Sequence, residues 1–327
     1  MDKINLDLIK KLREQINRPE KIGSLMSVSS TWAQLTTSLA VLEDSSLAID
    51  YYIDSEYPEE LTGKYLYTYG LLQALYLMED AIDTISQTLC GKRVNFMTDY
   101  PQAYRVREMR NDVVGHPINR RGESSVRLIQ LSLSKKGFEY NKFNFSAFEW
   151  ETVHVNTDLA IGQVTVCINT VLSEIIDQLE REYILFVNKY KDIKMEQIFD
   201  QLDYARELVF FDAHLCNEGY KMVKTMICAL RAQLNERYGE PIPIDFFRFT
   251  LEDVDRLLAL IDDGLSELPD DKCQSALHYL QESLFAKLNE LKKASREVDE
   301  CFDSYGKPET AKNELGLPHE WIKEYGG

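Results

Sequence analysis

Glycine and proline are scarce in this chain, at 15 and 9 of 327 residues. That scarcity argues against an all-β fold of many short strands and favours long helices. The six cysteines (Cys90, Cys167, Cys216, Cys228, Cys273 and Cys301) are scattered, with no CxxC pair. They indicate neither a zinc site nor a disulfide framework and read as reduced, mostly buried thiols. There are only five histidines. His154, His214, His278 and His319 are isolated and read as surface or helix residues rather than ligands. No uninterrupted apolar run approaches the ~20 residues of a membrane span. The N-terminus is charged and amphipathic, without the apolar core of a secretion signal. The chain therefore reads as cytoplasmic, with no membrane attachment and no metal or cofactor. GxxxxGK[ST], GxGxxG, HExxH and GxSxG are all missing, which sets aside the common phosphate-loop, dinucleotide, metallopeptidase and serine-hydrolase chemistries.

What is present is a globular composition, 44% hydrophobic and 28% charged, with a net charge of −17. Such a surface repels polyanions at long range. One window runs against the trend. Residues 92–127 hold eight basic groups (Lys92, Arg93, Arg105, Arg107, Arg110, Arg120, Arg121 and Arg127) against four acidic ones. A phosphate-bearing ligand would dock there, unless these arginines are consumed by neighbouring acids.

Taken in order, residues 4–18 predict a short amphipathic helix broken by Pro19. A second helix is predicted over about Ser30–Ile53. Residues 64–90 give the strongest helical pattern, with Leu71, Leu75, Met78, Ile82, Ile85 and Leu89 at alternating spacings of four and three. Its neighbouring stripe of Tyr65, Tyr69, Leu72 and Tyr76 is also largely apolar, which places it in the middle of a bundle. Among its carboxylates Asp80 shares a face with Gln73 and Leu77 and is expected to be partly buried. It then needs a cation or hydrogen-bond donors. Asp99 and Pro101 suit the start of the next helix. About residues 125–143 the period changes to that of a β-hairpin turning at Lys135–Gly137. A long helix follows over about Asn156–Lys189, and the remainder reads as further helices. Residues 191–327 are set apart from 1–190 as an acidic helical region.

The chain is organised around Tyr104–Pro117. Val106, Met109 and Val113 define a buried face, with Arg105, Glu108 and Asp112 opposite in water. Gly115 can close the helix in the left-handed conformation, and Pro117 cannot continue it. His116 is thereby released from the helical spiral, so that it and Arg110 can converge. The sequence Arg110-Asn111, with His116 after five intervening residues, resembles the Arg-Asn…His signature of the HEPN superfamily. Active members of that superfamily are mostly metal-independent endoribonucleases.

The resemblance covers about residues 25–190. It implies an all-α, HEPN-like helical bundle, here with a small β-hairpin insertion and a C-terminal helical region. It also implies a homodimer with two Arg/His pairs facing across a two-fold axis, and an RNA substrate. His116 would be general acid or base and Arg110 the cation on the phosphorane. Asn111 and Asp80 would orient them, while Arg107, Arg120 and Arg121 line the substrate path. A toxin or phage-defence role, with an inhibitory or operon-encoded protein partner, belongs to the same expectation. The alternative is a non-catalytic interaction or regulatory module, in which Arg110 pairs with Asp80 and His116 caps a helix.

Overall fold

The computed structural model describes residues 3–211, 216–265 and 271–304. The elements in chain order are α1 (Leu6–Ile16), α2 (Pro19–Met26), α3 (Ser29–Asp54), α4 (Leu61–Cys90), α5 (Phe96–Asp99) and α6 (Pro101–Arg110). A π-helical turn over Asn111–Gly115 and the strands β1 (Ser124–Leu128), β2 (Gly137–Asn144) and β3 (Glu149–Asn156) come next. The chain closes with α7 (Thr157–Tyr190), α8 (Leu202–Phe211), α9 (Cys216–Tyr238), α10 (Asp245–Leu265) and α11 (Asp271–Ser304). The protein is mostly helical with a small antiparallel sheet. His214 and His319 lie outside the described residues, as do the side chains of Cys216 and Cys273.

Two compact units divide the chain: residues 1–15 with 28–180, and residues 16–27 with 181–327. Pro19 does more than break a helix. It occupies the first turn of α2, where its missing N–H costs nothing.

In the first unit α3 and α4 pack along their lengths, and the predicted stripe of α4 from Leu71 to Leu89 is buried throughout. Gly91 stops α4 in the left-handed conformation (φ 67°), with its N–H on the Gln87 carbonyl. Asp99 does not cap α6. It is the last residue of α5, which Asn95 caps, and Tyr100 precedes α6. By length and composition α7 could cross a membrane, but half of its apolar stretch is buried inside the protein, as in a core helix.

The predicted hairpin is part of a three-stranded antiparallel sheet in the order β1-β2-β3. β1 ends at Leu128, and Leu133 comes inward after a short 3₁₀ turn. The third strand was not expected. Its sequence, Glu-Trp-Glu-Thr-Val-His-Val-Asn, offers only Val153 and Val155 to the interior, and its pairing with β2 makes it a strand. One face of the sheet supplies Leu128, Phe138 and Tyr140 to a core with Leu72 and Val113. Lys135, in the β1–β2 connection, donates to the Ile53 and Ser55 carbonyls and so satisfies the C-terminal end of α3.

The second unit has its own core, with Phe199, Phe247, Phe285, Leu230, Val254 and Leu288 fully buried. Cys228, in α9, is exposed rather than buried.

Candidate active site

The motif sits where α6 loosens into a π-helical turn. The His116 N–H reaches the Asn111 carbonyl at 2.8 Å, five residues back. A π turn widens the spiral by one residue and recurs at functional sites. Gly115 is not left-handed, contrary to expectation. A Cβ there would lie 2.9 Å from Arg110 Nη1, so the glycine lets the guanidinium rest where it does. Arg110 therefore packs on the residue immediately before His116, and the His116 side chain is exposed.

Arg110 is held on every side by neutral groups. Its Nε and Nη2 donate to Gln73 Oε1 at 3.2 and 2.7 Å, and its Nη1 donates to Asn111 Oδ1 at 3.1 Å. The Tyr76 ring lies 4.1 Å from its guanidinium carbon. Among the described residues no carboxylate comes within ion-pairing distance of it. The predicted pairing with Asp80 is corrected: Asp80 takes Arg107 instead. The reason is register, since α4 presents Gln73, Tyr76 and Asp80 in a row and α6 lays Arg110 and Arg107 along it in the opposite order.

Asp80 is partly buried, as expected, and the fully buried carboxylate on α4 is Glu79. It is fully inaccessible, contacts Arg107 Nη1 at 3.3 Å and leaves Oε1 without a partner among the described residues. Burial pushes its carboxyl up to about 8, against the pull of Arg107.

Asp112 was expected in water and is buried, because the sheet covers that face. It accepts from Lys142 at 2.8 Å and faces Arg120 Nε at 3.3 Å. Arg120, itself buried, also donates to both oxygens of Glu108. Arg121 is exposed, 3.9 Å from Glu108. Of the three arginines read as substrate contacts, Arg107 and Arg120 thus neutralise acids, and Arg121 is the exposed one. The Glu108–Arg120–Asp112–Lys142 network instead fixes the π turn to the sheet, as does the Val126 N–H on the Pro117 carbonyl at 2.6 Å.

Gln73 and Tyr76 were missed as site residues. Their i, i+3 spacing, continued at Asp80, marked the less apolar face of α4, but it did not say what would lie on it. A separate cleft of about 500 Å³ between α3 and α4, lined by Gln34, Thr37, Asp83 and Arg93 among others, contains none of the motif residues. His154 pairs with Glu139, and His278 lies edge-on to Phe210.

Gly115→Ala tests the packing directly. The added methyl displaces the Arg110 guanidinium, the movable end of a long side chain, so stability changes by less than about 1 kcal/mol. Any function of Arg110 falls about tenfold or more, because an ångström of misplacement is costly. Thermal melts beside activity assays read the two effects separately. Comparison with family models, with curated proteins and with solved structures finds no match to this chain, so its reading rests on its own geometry.

Proposed function

We propose that the protein is a metal-independent endoribonuclease of the HEPN type, acting as a homodimer in the cytoplasm. The observation that carries this reading is Arg110. In a chain of net charge −17 its guanidinium is oriented by an amide on each side and a ring, and among the described residues no acid neutralises it. A fixed cation packed on the residue before an exposed histidine is suited to an anion that arrives from solution. Guanidinium geometry matches phosphate oxygens. Histidine is the side chain that ordinarily exchanges a proton near neutrality.

In-line attack by a ribose 2′-hydroxyl on the adjacent phosphorus needs a base for the hydroxyl proton. The departing 5′-oxygen needs an acid, and the phosphorane needs a cation. One protomer supplies one histidine, so a second copy supplies the other. An exposed face of α4 supports that pairing. Leu66 and Tyr69 are exposed, Gly70 opens onto free space, and Gln73, which holds Arg110, continues the same face. A toxin or phage-defence setting with an operon-encoded inhibitor suits a nuclease whose acidity restrains it from bulk RNA. That acidity also suits the second reading, a non-catalytic interaction module.

The test is incubation of pure protein with total RNA in EDTA. Wild type is expected to yield 2′,3′-cyclic phosphate and 5′-hydroxyl ends. Leu66→Glu is expected to be folded, monomeric in sedimentation and inactive. Inert wild type assigns the chain to the interaction reading, and a fully active monomer removes the two-fold centre.

A further inference from the structure

The outer face of the sheet ends in an aromatic cluster that the proposed chemistry does not use. The Phe143 ring centroid lies 4.9 Å from that of Trp150, 5.2 Å from Phe148 and 6.1 Å from Phe145. Trp150 is 63% exposed and Phe148 82%. Phe148 also adopts φ 57°. That conformation closes the β2–β3 turn, where the Phe148 N–H reaches the Asn144 carbonyl at 2.9 Å, and it leaves the ring at the tip of the sheet.

Beside the cluster runs an open edge. β3 hydrogen-bonds to β2 alone among the described residues, so its other side presents unpaired backbone donors and acceptors. Glu149 and Glu151 flank Trp150 on that edge, and neither has an ion-pair partner among the described residues. Lys142, the base in the same row as Glu151, is taken by Asp112.

We propose that β3 is a docking edge for an extended basic segment of a partner protein, added as a fourth strand. Side chains directly opposite one another across two strands share a face and interact. The run Glu149-Trp150-Glu151 therefore specifies a basic–apolar–basic triplet in the incoming strand. The apolar residue packs on Trp150, and each cation meets one glutamate. Backbone pairing gives affinity and the alternation gives selectivity. The same two carboxylates repel a phosphate backbone or an anionic membrane. They also oppose a second copy, because antiparallel pairing of β3 centred on Trp150 would set Glu149 against Glu151 twice. This inference does not depend on the nuclease reading.

Calorimetric titration with a short peptide of alternating lysine and valine tests it. One peptide is expected to bind per chain. Alternating glutamate and valine should not bind, nor should the lysine–valine peptide with N-methylated valines, which cannot complete the ladder. Binding should weaken by about tenfold or more in the Glu149→Lys, Glu151→Lys double variant and in Trp150→Ala, with melting temperatures unchanged. The proposal is overturned by no binding, by equal binding of a peptide with its lysines gathered at one end, or by full binding to the charge-reversed variant. Trp150-dependent binding of oligouridylate or of phosphatidylglycerol vesicles in place of the peptide would assign the face to RNA or lipid and overturn it equally.

Discussion

Replacing His116 by alanine is expected to slow RNA cleavage by about a thousandfold, within the range of about 10²–10⁴ typical of a lost general acid or base. Arg110→Ala is expected to cost about 10²–10³, the usual loss for one preorganised group that stabilises transition-state charge. Both effects should appear in the single-turnover rate rather than in RNA affinity, because the proposed mechanism has both groups act most strongly on the phosphorane. Arg110→Lys keeps the charge but lacks the planar fork that spans Gln73 and Asn111, so it should recover only part of the loss. The double variant should be little worse than His116→Ala, since residues acting on one step are not additive. Stability should stay within about 1 kcal/mol for His116→Ala, whose side chain is exposed and makes no hydrogen bond among the described residues. Equal rates for wild type and His116→Ala would remove the imidazole from the mechanism, whatever became of Arg110.

The second large effect concerns stability. Glu79 is fully buried on α4 beside Arg107, with its carboxyl raised from 4.5 to about 8 chiefly by loss of solvent. Between those two values the folded chain keeps a proton that the unfolded chain has released. Stability therefore falls as pH rises through the window, since it rises with pH only where the unfolded state holds more protons. Glu79→Gln places a neutral group of the same shape in the same slot and removes this dependence. At about pH 5 the two proteins should be similarly stable. At about pH 9 the variant should exceed wild type by on the order of a few kcal/mol. Urea midpoints at both pH values read the difference, and subtracting one protein from the other cancels every other titrating group. A constant gap between the two midpoints would show that Glu79 is already ionised on Arg107. The neighbouring Arg107–Asp80 pair should keep α6 in place in either case.

Which carboxylate is buried separates what the pattern of residues can show from what it cannot. Spacing along α4 identified a helix apolar on most sides and carboxylates near the edge of its stripe. It could not choose between Glu79 and Asp80, which are adjacent and about 100° apart, because the choice depends on where α6 comes to rest. The same holds for Asp112. Its place opposite Val113 reads as solvent until a sheet is laid over it. β3 is the sharpest instance: Glu149–Asn156 carries little apolar signal because it is an edge strand, exposed on one face and paired on one side.

By itself the sequence determined the helical class of the chain and the course of α3, α4 and α7. Local periodicity and helix-stopping residues act within a few turns and need no distant partner. It also determined the contact between Arg110 and Asn111, because they are neighbours in the chain. Tertiary structure alone decided the partners of those groups. It gave Arg110 to Gln73, Asn111 and Tyr76, gave Asp80 to Arg107, and buried Arg120 between Glu108 and Asp112. Ion pairing between segments tens of residues apart follows helix register and sheet placement, which are settled by packing a common core rather than by any local run of residues.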